Sequence, residues 1–167
     1  LGNMASAYQY DEDFENALSY QLKSLQISEH LKDTTSMCIS YLNLGNIQLR
    51  LENFERSTRY FKQSYLLAKK LNEPNRQIEA LNSLSLALKQ LGKLDDAMYY
   101  IDLSLKIAEK NQIRFNKYLA VDVLGRIQLE EKKYAQAKSN FLLIKPEFEK
   151  SGFEYLVISN YYFLAET

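Results

Sequence analysis

Apolar residues along this chain recur in steps of three and four, and the arrangement as a whole recurs every 40 residues. Met37, Tyr41, Leu44, Ile47 and Leu51 form one stripe, and Phe54, Phe61, Tyr65, Ala68 and Leu71 form the next. Each stripe has the spacing of one face of an α-helix. Glu52-Asn53 is the short turn between them. Asp33 or Thr34 is placed to cap the first helix and Asn53 the second, because a short polar side chain accepts the unmatched amide hydrogens of a first turn. Asn72-Glu73-Pro74-Asn75 closes the unit, and Pro74 suits the first turn of the helix that follows. The unit is a pair of antiparallel helices. The next unit repeats it, with Gly92-Lys93 as its internal turn and Asn111 near its end.

Four such units align without a gap. Phe14, Phe54, Leu94 and Tyr134 share a column. Ala17, Ser57, Ala97 and Ala137 form a column of small residues. Tyr20, Tyr60, Tyr100 and Asn140 come three residues later, then Ser24, Ser64, Ser104 and Ile144. Upstream of each block stands an apolar-small pair: Met4-Ala5, Leu44-Gly45, Leu84-Ser85, Leu124-Gly125. Small residues on facing helices let the axes approach to the short end of the roughly 8–10 Å range. Large neighbours such as Leu44, Phe61, Leu84 and Ile101 then fill the remaining space, and the aromatics of these columns read as core. A period of this length predicts an all-α solenoid of four repeats plus the first helix of a fifth, near Tyr161. Residues 1–167 read as a single domain. Both ends are apolar, Leu1 at one and Val157 to Leu164 at the other, where a complete solenoid carries polar capping faces, so the chain reads as a fragment of a longer protein. Pro146 falls inside the last second helix and removes a backbone donor, which predicts a kink or a stop near Lys145.

Asn43-Leu44-Gly45-Asn46 followed by Phe54, Ser57, Tyr60-Phe61 and Ser64 resembles the tetratricopeptide repeat motif, and Gly125, Tyr134, Ala137 and Phe141 match it again. The resemblance spans the whole chain. It implies a right-handed superhelix whose first helices line a concave groove. Two departures stand out. The usual period is about 34 residues, so 40 adds about a turn and a half to each pair. The family's Trp position holds Leu1, Tyr41, Leu81, Val121 and Tyr161. The longer period is similar to that of bacterial peptide-sensing regulators, sensor kinases and eukaryotic spindle-orientation scaffolds. Carried over by register, the groove positions are Leu42, Asn46, Leu49 and Arg50, then Asn82, Leu86, Lys89 and Gln90, then Asp122, Arg126, Leu129 and Glu130, with Gln9 and Tyr10 in the first unit. Of these, Asn46, Arg50, Asn82, Lys89, Asp122 and Arg126 are the candidate ligand-binding residues. Chaperone adaptors of the family grip a terminal carboxylate with Lys, Asn and Arg. Here those places hold Gly2, Ser6, Asn43, Glu79 and Ser83, and only Asn43 survives. A carboxylate clamp without its cations is excluded in this register.

Composition narrows the function. Lys+Arg and Asp+Glu both number 21, and this zero net charge speaks against nucleic acid as a partner. No apolar run reaches the roughly 18 residues of a membrane span. His30 is the lone histidine and sits near a helix end, where the dipole favours it. Cys38, also alone, lies beside core positions, and a buried thiol there is inert. Asp11, Glu12 and Asp13, and Asp95-Asp96, read as solvated helix starts rather than metal ligands. No nucleophile–base constellation, phosphate loop or metal motif is present, so neither an enzyme nor a cofactor is expected. The expected function is a scaffold that holds a protein or peptide partner in its groove, one with acidic or carboxylate groups to meet the cations. The alternative is a sensory or regulatory segment of a larger signalling protein, such as a sensor kinase or a peptide-responsive transcription regulator.

Overall fold

The structure, a computed structural model, describes residues 13–167. Leu1, Gly2, Met4-Ala5, Ser6, Gln9, Tyr10, Asp11 and Glu12, and with them the first helix of the first unit, lie outside the described residues. Among the described residues eight helices follow one another and there is no strand. They are α1 Phe14–His30, α2 Thr34–Arg50, α3 Phe54–Lys70, α4 Pro74–Gln90, α5 Leu94–Lys110, α6 Arg114–Glu130, α7 Tyr134–Ser151 and α8 Glu154–Ala165. α1 is the second helix of the first unit. α2 with α3, α4 with α5 and α6 with α7 are the pairs of units two to four, and α8 opens the fifth.

The turns set this regular spacing. Lys32, Glu52, Asn72, Gly92, Gln112, Lys132 and Gly152 all take positive φ, from 53° to 73°. After each of the first six, the next amide returns to a carbonyl five residues back. Examples are Asp33 to Ser28 at 2.9 Å, Glu73 to Ala68 at 3.0 Å and Lys133 to Gln128 at 2.8 Å. This closure satisfies carbonyls that the end of a helix leaves unmatched. Only two of the seven positions hold glycine; each of the others carries about 1–2 kcal/mol of left-handed strain. Asp33 caps α2 as expected, accepting from the Ser36 amide at 3.1 Å. Asn53 stands at the start of α3 but makes no side-chain cap.

The first helices α2, α4 and α6 also touch one another, α2 against α4 and α4 against α6, and so form the inner layer. The second helices flank them on the outside. Ala17, Ser57, Ala97 and Ala137 are all completely buried, as the column of small residues requires. A Cβ on Gly45 would stand 2.5 Å from Phe61 Cδ1, and one on Gly125 would stand 2.6 Å from Phe141 Cε1. Cys38 belongs to the same seam: its Sγ donates to the Ser64 carbonyl at 3.4 Å, and Ser64 Oγ donates to the Cys38 carbonyl at 3.0 Å.

Two expectations are corrected. The aromatic columns are not uniformly core: Tyr134 is 47% exposed and Tyr20, Tyr60 and Tyr100 are half-buried. The deep column lies one residue on, where Gln21, Phe61, Ile101 and Phe141 are sealed. Of the kink or stop expected near Lys145, the stop does not occur: α7 runs through Pro146 to Ser151 without restarting. Pro146 and Leu142, whose carbonyl loses its amide partner, both lie on the exposed face. The unmatched carbonyl is thereby left to solvent, while Ile144 and Phe148 on the other face remain buried and hold the helix in place.

Gly45→Ala and Ala97→Phe both force atoms into sealed helix contacts, so each is expected to lower stability by about 1–3 kcal/mol or more. Gln112→Gly is expected to raise stability by a few tenths to about 1 kcal/mol, because it relieves left-handed strain at the cost of a more mobile unfolded chain. Thermal and urea unfolding followed by circular dichroism checks all three. A Gly45→Ala variant that melts like the parent would contradict the pairing of Gly45 with Phe61.

Candidate functional site

Two adjoining cavities open on the inner layer. The larger, about 620 Å³, takes Arg50 from α2, Lys89 from α4 and Arg126 and Glu130 from α6. Tyr162 and Phe163 of α8 complete its wall. The smaller, about 390 Å³, is lined by Glu79 and Asn82 of α4, Asn116 and Asp122 of α6, and Tyr155 and Leu156 of α8. Leu86 and Arg126 belong to both. Both volumes lie in the range of ligand pockets. The helical register explains the convergence. Residues at one repeat position on successive first helices project the same way, so stacking α2, α4, α6 and α8 lines them up.

Five of the six sequence-derived residues therefore face the cavities: Arg50, Asn82, Lys89, Asp122 and Arg126. Asn46 does not; it is half-buried on α2 and lines neither. The partners of the five divide them. Asn82 is 8% exposed, and its Oδ1 accepts from Ser104 Oγ at 2.6 Å, which ties α4 to α5. Lys89 Nζ pairs with Glu130 Oε1 at 2.7 Å. Arg126 Nη2 reaches Asp122 Oδ2 at 2.6 Å and donates to Ser159 Oγ at 3.0 Å, while the guanidinium lies 4.6 Å from the centre of the Phe163 ring. Arg50 is exposed, and among the described residues it makes no ion pair. Asn43 donates to Gln21 Oε1 at 3.5 Å, a contact within the helix stack.

The electrostatics follow from this packing. Loss of solvent pushes the Asp122 carboxyl up from its ordinary value, and the nearby Arg126 charge only partly opposes it. Glu79 is raised for the same reason, with Arg76 opposing. Sequence reasoning missed the contribution of α8. Tyr162 and Glu166 stand one repeat on from Asp122 and Arg126, so the register alone would have found them. Ser159 and Phe163 carried no such signal, since their role comes from contact with Arg126. Among the described residues no helix is long and apolar enough to cross a membrane.

Comparison with known proteins gives both family and fold relatives. A sequence model described as "Tetratricopeptide repeat" matches residues 1–65 and 36–110. Response regulator aspartate phosphatase E of Bacillus subtilis (strain 168) is 28% identical over 125 residues, which is 72% of this chain and 33% of that protein. Tetratricopeptide repeat protein 29 of Trypanosoma brucei brucei is 25% identical over 121 residues, 72% of this chain and 25% of the other. The chain thus spans a third or less of the length of these relatives. Among solved structures, BtubC (BKLC) from P. vanneervenii superposes with a TM-score of 0.79 at 15% identity, over 96% of this chain and 67% of that one. A putative kinesin light chain with nearly identical TPR-like repeats from Podosopora anserina gives 0.74 at 13%, over 98% and 82%. The apo form of RapI gives 0.65 at 17%, over 97% and 49%. At these identities the structural likeness is one of fold.

Asp122 and Asp33 are expected to titrate on opposite sides of the ordinary 3.8: Asp122 above it through desolvation, Asp33 below it through its bonds from Ser36. The stability consequences have opposite signs. Between 3.8 and the Asp122 midpoint, the folded chain keeps a proton that the unfolded chain has lost, so this group's contribution falls as pH rises. The contribution of Asp33 is present above 3.8 and is lost as pH falls through its folded midpoint. Carbon-detected titration of the two carboxyls measures both.

Proposed function

The chain belongs to the tetratricopeptide repeat family, and on that footing we propose that it is a scaffold which holds a protein or peptide partner in its concave groove. The observation that carries this reading is the 620 Å³ cavity. There Arg50, Lys89 and Arg126 from three successive first helices converge beside Leu86, Leu129 and Tyr162. An extended segment lying across the helices touches all of them at once. Apolar lining supplies burial, and the polar groups fix orientation. Arg50 is the cation open to a partner's acidic or carboxylate group. Lys89 joins it when a ligand carboxylate replaces Glu130, its exposed partner. Asn82 presents its amide nitrogen, the oxygen being taken by Ser104. Residues 1–167 then act as one binding segment of a longer protein.

The regulatory reading has an observation of its own. The similarity to a response regulator aspartate phosphatase covers 72% of the chain. In that reading the same repeats belong to a signalling protein, and the partner is a protein of a signalling pathway. The two readings share the groove and differ in what occupies it.

Random linear peptides selected for binding to the chain provide the test. Replacing Arg50 and Lys89 together by Ala is expected to weaken selected acidic peptides by about 1.5–3 kcal/mol per lost charged hydrogen bond. Arg126 is kept in place, since its removal strands the buried Asp122 carboxylate and costs about 3–5 kcal/mol of stability. The control pair is Lys62→Ala with Lys106→Ala, on the exposed face of the second helices. Isothermal titration of each variant decides between the faces. If the control pair abolishes binding and the Arg50/Lys89 pair does not, the partner lies on the outer surface.

A further inference from the structure

Asp122 and Arg126 stand one helical turn apart on α6 and line the smaller cavity together. Asp122 is 4% exposed. Its Oδ2 is engaged by Arg126 Nη2. Among the described residues, however, Asp122 Oδ1 has no hydrogen-bond partner, and neither has Arg126 Nε, although both atoms are buried. A buried polar atom left unmatched is costly, so an orphaned acceptor and an orphaned donor on two residues already joined by an ion pair require an explanation. Fork-on-fork pairing would have set Nε against Oδ1 and satisfied both. Instead the guanidinium is gripped from α8, by Ser159 Oγ at 3.0 Å and by the Phe163 ring at 4.6 Å, and contacts Asp122 through Nη2 alone.

The chemistry of a group that satisfies both atoms is restrictive. It must donate to Oδ1 and accept from Nε. A carboxylate meets Arg126 but is repelled by Asp122; an ammonium meets Asp122 but is repelled by Arg126. A hydroxyl must serve both from one oxygen; a primary amide carries an N–H and a C=O on one edge and meets both, whereas a trans peptide unit points the two in opposite directions and meets only one. Resting on the reading that the groove holds a peptide, we propose that Asp122 and Arg126 form an amide-reading subsite. The side-chain amide of an Asn or Gln in the bound segment donates its N–H to Asp122 Oδ1, and the carbonyl of the same amide accepts from Arg126 Nε. Tyr155, another wall of the cavity, is 65% exposed and turns aside to admit the segment. Asn82 and Asn116 flank the same cavity with further amide groups. This gives the groove a means of holding a partner that is independent of the partner's charge.

The probes are four small molecules of similar size, each titrated into the nitrogen-15-labelled chain: N-methylacetamide, propionamide, methyl acetate and propionate. The readout is the Arg126 Nε–H resonance. A saturable shift with propionamide, at an affinity about tenfold or more above that of methyl acetate, is the expected result. N-methylacetamide, whose trans N–H and C=O point apart, is expected to bind no better than methyl acetate. The inference is overturned if propionamide leaves the resonance unmoved, or if N-methylacetamide, propionate or methyl acetate moves it equally. The groove reading is separable. It survives when a selected acidic peptide shifts the signals of Arg50, Leu86 and Leu129 while Arg126 Nε–H stays fixed, an outcome that overturns the amide subsite alone. It fails when such a peptide leaves those three signals unmoved.

Discussion

The array depends on a side chain that is missing opposite one that is large. Gly45 leaves room for the Phe61 ring, and Gly125 leaves room for Phe141. In the third unit the same positions hold Ser85 and Ile101, both completely buried. A bulkier residue on the first helix goes with a smaller one on the second, so the filled volume is roughly conserved from unit to unit. Close packing of this kind tolerates little change on either side. The Ser85 hydroxyl is satisfied within its own helix, by the Leu81 carbonyl at 2.9 Å. Only because these pairs close tightly do α2, α4 and α6 come near enough to touch, and the groove is the inner surface they then share.

That groove serves two purposes, and they compete for the same side chains. Polar residues on the first helices can hold the stack or meet a partner. Asn43 and the Asn82 oxygen are turned to the stack, through Gln21 and Ser104. Asp122 and Arg126 are held half in each role: one contact pairs them, and α8 fixes the guanidinium. Arg50 alone of the six candidates is both exposed and without an ion pair among the described residues. Charged groups drawn into such packing lose solvent, which is why the Asp122 carboxyl is shifted upward despite its cationic neighbour. A groove built from neutralised pairs keeps little net charge. Its selectivity then comes from the geometry of unmatched donors and acceptors more than from long-range attraction.

The helix pairing, the small column and the positions of the turns were all legible in the sequence. Each is a local consequence of spacing: an apolar stripe in steps of three and four makes a helix, and its recurrence makes a stack. Five of the six candidate groove residues were legible for the same reason, since register alone decides which way a side chain leaves its helix. Register could not say how deep each column lies. The aromatic columns looked like core, yet the sealed residues are one position on, at Phe61, Ile101 and Phe141. Depth depends on the angle at which two helices meet, and that is a property of the pair. Pro146 failed as a helix breaker because its face is open to solvent and the opposite face is anchored, neither of which a single helix reveals. The partners of Asn82, Lys89 and Arg126 likewise lie 22, 41 and 33 residues away in the chain. Sequence determined which residues share a face. Only the tertiary structure decided which of them are already spoken for, because that depends on contacts between helices distant along the chain.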